Sequence, residues 1–223
     1  MPVTTATTEL RDLPVMLSAS LPTELNGTNR AQDLYDLLVV LATGILTSGG
    51  RLVFGGHPSV TPLIHRIAQS ADARQGQITL FQLEQFRAQA PIQIQDRSVF
   101  GEVRWCKDLQ EMRDGMAAMA EAGVFVGGKT SGSVGGKPGI RDEFERFVAR
   151  HPRGPVYLLG LLDGETQRII QETSGNQTWK PQYLSSEERA LLRDAPSPDL
   201  LAGLVLADLA QVVAAKSRQE ALF

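Results

Sequence analysis

The sequence predicts an α/β fold, a doubly wound and mainly parallel sheet with helices on both faces. Two observations support this prediction. Short, uninterrupted apolar runs alternate along the chain with stretches whose apolar residues recur at i, i+3 and i+4. Strands without polar alternation are typical of parallel sheets that are buried on both faces. The length of 223 residues, of which 42% are hydrophobic, suits one domain with a full core.

The order of these segments predicts a Rossmann-like arrangement. The apolar runs predicted as strands are 13–17, 51–56, 78–86, 98–106, 123–128 and 155–162. The periodic stretches predicted as helices are 29–48, 59–71, 108–122 and 139–150, and two further helical stretches close the chain. We expect residues 1–12 to be a flexible N-terminus and residues 13–223 to form a single domain. Ligands of such sheets bind beyond the carboxyl ends of the strands, near the point where the strand order reverses.

Charge and cysteine usage exclude several kinds of site. The net charge of -3 argues against a broad surface for nucleic acid. Cys106 is the only cysteine, so no disulfide can form within the chain. The three histidines are scattered, without cysteine or carboxylate neighbours at metal-ligand spacing. We therefore expect no metal site and no cofactor.

The apolar segment 199–217 is interrupted by Asp208, which favours a buried helix over a membrane span. The N-terminal residues lack the basic and apolar regions of a signal peptide. Together with the lone cysteine, these features predict a cytoplasmic protein without a membrane partner.

Two predicted strands end in paired glycines followed by a basic residue. Gly55-Gly56 precede His57, and Gly127-Gly128 precede Lys129. Paired glycines let the backbone turn sharply and let its N–H groups approach an anion. The two loops therefore predict a shared pocket for phosphate groups. The alternative is that both are only tight turns between a strand and a helix.

The segment from Gly123 to Thr130 fits the P-loop pattern G-x-x-x-x-G-K-[ST], but its surroundings exclude that motif. A P-loop has a strand before its first glycine and a helix directly after its lysine. Here a predicted helix precedes Gly123, and more glycines and Pro138 follow Thr130. We therefore reject an ATPase or GTPase function.

The helix predicted over 139–150 has a buried stripe, with Arg141 and Glu143 at its two borders. Asp142, Glu145 and Arg146 are predicted to face solvent. Glu143 lies in the first turn, at the end nearest the pocket, where a carboxylate can reach the sugar of a ligand. The alternative is that Glu143 only interacts favourably with the helix dipole.

Arg113 lies early in the preceding helix, beside its apolar stripe. It can reach a phosphate or pair with a carboxylate. The alternative is a surface arginine paired with Glu111 or Asp114. Ser18 and Ser20 follow the first predicted strand, where they can bind a ribose or a phosphate.

Four segments, 17–20, 51–64, 79–86 and 112–147, give the chain a resemblance to the SLOG superfamily. The chain is most similar to the prokaryotic relatives of the ligand-sensing domains of TRPM channels. LOG-type phosphoribohydrolases of this superfamily carry a Pro-Gly-Gly-x-Gly-Thr-x-x-Glu signature and an upstream arginine. In that motif the glycine pair matches Gly127-Gly128, and the glutamate matches Glu143.

Three departures separate the chain from the LOG-type signature. Val126 replaces the proline, Ile140 replaces the threonine, and the insert 129–138 separates the two halves of the motif. The resemblance therefore implies a sensor of a nucleotide-derived ligand that is ADP-ribose-like, cyclic ADP-ribose-like or NAD-related. The alternatives are N-glycoside hydrolysis that uses Glu143 and Arg113, and a dimeric interaction protein without a ligand.

The residues expected to bind the ligand come from both glycine loops, the first strand and the two helices. They are Ser18, Ser20, Gly55, Gly56, His57, Arg113, Gly127, Gly128, Lys129, Gly139, Arg141 and Glu143. The resemblance also implies a homodimer or higher oligomer, an effector protein encoded nearby, and a role in bacterial anti-phage defence or nucleotide stress.

Overall fold

A six-stranded, all-parallel sheet forms the centre of the computed structural model, which describes residues 9–57, 60–89, 99–131, 136–173 and 179–220. The strands are β1 Pro14–Ser20, β2 Arg51–Gly55, β3 Ile78–Leu83, β4 Glu102–Cys106, β5 Ala122–Gly127 and β6 Val156–Leu159. The α-helices of the described residues are α1 Arg30–Thr47, α2 Thr61–Ser70, α3 Leu109–Met119, α4 Gly139–Arg150, α5 Glu165–Glu172, α6 Ser186–Asp194 and α7 Pro198–Glu220. The predicted Rossmann-like α/β class is confirmed.

Helices cover both faces of the sheet because successive side chains of each strand point to opposite sides. On β1, Val15 and Leu17 pack into the core that contains α1 and α7. Met16 packs into the second core, which contains residues of α3, α4 and α5. Ser18 continues the alternation on the second side.

The strand order β4-β3-β2-β1-β5-β6 reverses beside β1. The chain moves outward from β1 through β2, β3 and β4, and then returns to place β5 on the other side of β1. Ser18 is paired with Phe125 and Ser20 with Gly127 at this position. The carboxyl ends of β1 and β5 therefore form the switch point at which α/β sheets bind ligands.

Several strand boundaries differ from the prediction. β4 begins at Glu102 instead of residue 98, and β6 ends at Leu159 instead of residue 162. β1 extends to Ser20, so Ser18 and Ser20 lie in the strand rather than after it, because their backbones pair in parallel with β5. β3 ends at Leu83, and Glu84–Gln89 form a 3-10 turn beside the edge strand β4. Ordered packing begins earlier than the predicted residue 13, since Leu10 is fully buried and its amide donates to the Ser48 carbonyl.

Among the described helices, α7 alone is long and apolar enough to cross a membrane by length and composition. It packs against α1, and its Leu201, Val205 and Leu209 are fully buried in the first core. This agrees with the predicted buried helix.

Asp208, in the middle of α7, anchors the segment that precedes α6. The carboxylate is fully buried and accepts from Tyr157 Oη at 2.6 Å, from the Gln182 amide at 2.9 Å and from the Tyr183 amide at 2.6 Å. Burial, and then the charge and hydrogen bond of Asp208, raise the pKa of Tyr157 well above its ordinary value. Tyr157 therefore stays a hydrogen-bond donor.

We expect Asp208→Asn to lower the free energy of unfolding by about 3 kcal/mol, because the amide replaces a charged acceptor and turns a donor toward buried donors. Urea denaturation of both proteins measures the difference. Asp199→Asn is the matched control, an exposed aspartate on the same helix, and we expect it to cost less than about 1 kcal/mol. Equal losses in the two variants would contradict this role of Asp208.

Candidate functional site

A cavity of about 330 Å³ opens at the switch point, on the side of the sheet covered by α3 and α4. It is bounded by the carboxyl ends of β1 and β2 and by the first turns of both helices. The predicted site residues that line it are Ser18, Ser20, Gly55, Gly56, His57, Arg113, Lys129, Gly139 and Glu143.

Arg113 reaches the cavity because α3 begins at the carboxyl edge of the sheet. The Asp108 side chain caps that helix by accepting from the Glu111 amide at 2.8 Å. Arg113 follows in the second turn, with only 8% of its side chain exposed. The neighbouring glycine of β2, Gly55, leaves room for the Met112 and Met116 side chains beneath it.

The guanidinium of Arg113 is only partly engaged by protein groups. Its Nη1 donates to Asp142 Oδ2 at 2.7 Å. Its Nε lies 3.6 Å from Glu143 Oε1, which is too far for a hydrogen bond. Within the described part of the chain, this buried Nε has no hydrogen-bond partner. A buried N–H without an acceptor is unfavourable, and a shift of a few tenths of an ångström toward Glu143, or a ligand oxygen, would satisfy it.

Glu143 faces the same space from the start of the second turn of α4, the position that Arg113 has in α3. Its Oε2 accepts from Ser18 Oγ at 2.6 Å, and only 16% of its side chain is exposed. Burial raises the pKa of Glu143 above its ordinary value, although the Ser18 hydrogen bond and the charge of Arg113 oppose this rise. The carboxyl is therefore suited to exchange a proton or to bind a hydroxyl.

Two basic residues, His57 and Lys129, also line the cavity. Lys129 is exposed at the mouth, and His57 is partly buried below it. Burial, and then the charge of Lys129, lower the pKa of His57. His57 is therefore a neutral hydrogen-bonding group near neutral pH.

The paired glycines shape the turns but do not offer all their amides to a ligand. The Gly56 amide donates to the Phe81 carbonyl, and the Gly128 amide donates to the Ser20 carbonyl, both at 2.8 Å. Gly127 has φ +71°, and a Cβ there would lie 2.4 Å from the Ser20 carbonyl oxygen. Only glycine fits this turn readily, because it must pass so close to β1.

Three predicted site residues do not line the cavity. Gly127 and Gly128 form the turn behind it. Arg141 points toward α5, where its Nη1 and Nη2 donate to Glu172 at 2.6 and 3.1 Å and its Nε donates to the buried Glu165. Arg141 therefore joins two helices in this structure.

Asp142 was predicted to face solvent, and this prediction is wrong. Only 16% of its side chain is exposed, because α3 packs beside α4 and Arg113 reaches across to it. A helical wheel cannot show a neighbouring helix that covers its polar border. The only signal in the sequence was the position of Asp142 next to Glu143 in a first turn.

A larger hollow, of about 510 Å³, lies between α1 and α2. Exposed helix side chains such as Gln32, Asp36 and Arg66 line much of it. It is distant from the strand ends and contains none of the buried polar groups described above, so the smaller cavity is the better candidate. Within the described residues, no group of three or more His, Cys, Asp or Glu is placed to hold a metal ion.

We expect Glu143→Gln to change how stability depends on pH. A carboxyl whose pKa is raised in the folded state binds its proton more tightly there, so stability falls as pH rises from the ordinary value of 4.5 toward the folded value. The variant lacks this titration. The difference in unfolding free energy, wild type minus variant, should therefore fall over that interval.

Urea denaturation at a series of pH values from 4.5 upward measures this difference. Ser18→Ala removes a hydrogen bond that lowers the pKa, so it should extend the fall to higher pH. A difference that increases with pH would show that the folded structure favours the ionised carboxylate instead.

Comparisons with known proteins agree with the fold and identify a family. A search of curated proteins finds no significant match. The X-ray structure of TM1055, a structural-genomics target, is 18% identical, with a TM-score of 0.51, and the match covers 71% of this chain and 81% of that one. Such a likeness shows the fold alone.

The model of the SLOG cluster3 family matches residues 36–182, more than half of the chain and a span that includes Arg113 and Glu143. The chain therefore belongs to the SLOG cluster3 family, in agreement with the resemblance found in its sequence.

Proposed function

We propose that this chain binds a nucleotide-derived small molecule in the cavity and acts as a sensor or signalling domain. The observation that carries the proposal is the buried Arg113, which lines a cavity at the switch point together with Glu143 and whose Nε has no hydrogen-bond partner among the described residues. The ligand class is ADP-ribose-like, cyclic ADP-ribose-like or NAD-related, as the family resemblance implies.

The polar groups of the cavity fit different parts of such a ligand. Ser18 and Glu143 form a hydroxyl–carboxyl pair that suits ribose hydroxyls. Arg113 Nε and Lys129 suit phosphate oxygens, since charge-assisted hydrogen bonds are the strong ones. Neutral His57 can orient either group. Gly139 lies against the guanidinium, with Arg113 Nη2 3.2 Å from where a Cβ would stand.

The size of the cavity limits how such a ligand is held. Its volume of about 330 Å³ is near the lower end of small-molecule sites, which span roughly 300–1,000 Å³. A ligand with two nucleoside halves would therefore place one half inside and extend past Lys129 and Ser131 at the mouth. Residues 132–135 of the insert 129–138 lie outside the described residues.

Calorimetry against ADP-ribose, cyclic ADP-ribose and NAD tests ligand binding. We expect at least one of them to bind, and Lys129→Gln to weaken that binding by about tenfold or more at low salt, the effect of losing one charge-assisted hydrogen bond. Lys180→Gln is the matched control, since Lys180 is exposed and does not line the cavity. Absence of binding by folded protein to all three ligands would refute the proposal for this panel.

The second candidate function is N-glycoside hydrolysis, which the buried, protonatable Glu143 beside Arg113 favours. Water would add to the anomeric carbon as its bond to the base nitrogen breaks, and the base would leave with a proton. Glu143 would exchange that proton or stabilise the developing positive charge at the ribose. Ile140 argues for the sensor, because the threonine hydroxyl of the LOG-type signature is missing.

Chromatography of nucleoside monophosphates incubated with the protein distinguishes the two functions. The sensor proposal predicts no release of free base. If base is released, a hydrolase that uses Glu143 should lose at least about a hundredfold in rate on Glu143→Gln, and Glu145→Gln, an exposed change on the same helix, should retain it. Release that is unaffected by Glu143→Gln would exclude Glu143 as the catalytic group.

The signalling context belongs to the same proposal. A sensor of this kind would pass its signal through self-association or through a separate protein encoded nearby, as anti-phage and nucleotide-stress systems do. The resemblance to ligand-sensing SLOG domains supports this context.

A further inference from the structure

The position of Arg113 depends on a carboxylate that does not line the cavity. Asp142 Oδ2 accepts from Arg113 Nη1 at 2.7 Å, and Asp142 Oδ1 accepts from Arg146 Nε at 3.0 Å. Both oxygens are thus occupied by different arginines. Only 16% of the Asp142 side chain is exposed, so water competes little for these hydrogen bonds. They therefore fix the orientation of the Arg113 guanidinium.

Asp142 is also held by Arg146, which forms a second ion pair with Asp114 at the surface. Arg146 Nη1 donates to Asp114, which follows Arg113 on α3. Charges therefore alternate from Arg113 to Asp142, then to Arg146 and Asp114, and cross twice between α3 and α4. The outer end is open to solvent, since 62% of the Asp114 side chain is exposed, and such exposed pairs contribute little.

Asp142 competes with Glu143 for the same guanidinium. Arg113 is 2.7 Å from Asp142 through Nη1 but 3.6 Å from Glu143 through Nε. Without Asp142, the fork of Arg113 could pair with both oxygens of Glu143, which is the favoured geometry between arginine and a carboxylate. That pair would occupy the two groups that the cavity presents to a ligand.

We propose that Asp142 is the positioning residue of this cavity: it binds Arg113 Nη1, holds the guanidinium in the cavity wall, and keeps Arg113 Nε at 3.6 Å from Glu143 rather than in a closed hydrogen-bonded pair. The proposal deepens the ligand-binding function above and rests on it for the role of the ligand. The alignment of Arg113 itself is testable without any ligand.

The test compares Asp142→Asn with Asp114→Asn, two isosteric changes on the same chain of charges. The first readout is the Nε–H signal of Arg113 in ¹H–¹⁵N NMR spectra of the ligand-free protein, assigned by its loss in Arg113→Lys. We expect Asp142→Asn to shift this signal or lose it to exchange with water, and Asp114→Asn to keep it.

The second readout is calorimetry with ADP-ribose on the same proteins. Asp142→Asn should weaken binding by about tenfold or more, and Asp114→Asn by less than about twofold. Asp142→Glu keeps the charge and should recover part of the loss. If Asp142→Asn does not fold, Asp142→Ser, which also removes the charge, carries the same expectation.

The outcomes separate the two proposals. An Arg113 signal that is unchanged in Asp142→Asn overturns the positioning role, whatever binds. If Asp142→Asn loses the Arg113 signal but binds ADP-ribose as tightly as the wild type, the alignment of Arg113 by Asp142 does not matter for ligand binding. If the wild type binds no ADP-ribose but the signal still depends on Asp142, the positioning role of Asp142 stands and the proposed ligand class fails.

Discussion

The ion pair between Arg113 and Asp142 is the interaction on which the candidate site depends. It joins α3 to α4, whose first turns form one wall of the cavity. Both helices begin at the carboxyl edge of the sheet, so the pair lies where the strand order reverses. A buried arginine needs an anionic partner, and Asp142 meets that need without occupying Nε. The Nε–H is left without a hydrogen-bond partner among the described residues, 3.6 Å from Glu143.

The backbone turn at the end of β5 serves the same site indirectly. Gly127 and Gly128 adopt positive φ, and the Gly128 carbonyl accepts from the Glu165 amide at the start of α5. The turn is thus tied to β1 on one side and to α5 on the other. Lys129 follows directly after this hydrogen-bonded turn and lines the cavity. Recognition of an anion here would rely on side chains more than on a nest of glycine amides.

Much of the fold could be predicted because local pattern and tertiary environment agree. Uninterrupted apolar strands required cover on both faces, and helix 139–150 was predicted with the same bounds that α4 has. The glycine pairs were found because tight strand ends need them. The sequence could not show that the amides of Gly56 and Gly128 are already hydrogen-bonded, because their partners, Phe81 and Ser20, lie in strands distant in the sequence. Asp142 was misplaced for a related reason, because only the packing of α3 on α4 buries it.

Trp179 packs edge-on against Phe144, with ring centroids 5.1 Å apart. It packs into the second core, the more common fate of such a residue. Trp179 does not line the cavity, so the ligand contacts proposed above come from its polar groups.

The central claim is that Arg113 Nε is a ligand donor at the switch point. A crystal structure of the protein with ADP-ribose tests it most directly. The account predicts a phosphate or ribose oxygen within about 3 Å of Arg113 Nε, with Asp142 still bound to Nη1 and the other end of the ligand near Lys129. A ligand bound elsewhere, or bound in the cavity while Nε still lacks an acceptor, would contradict it.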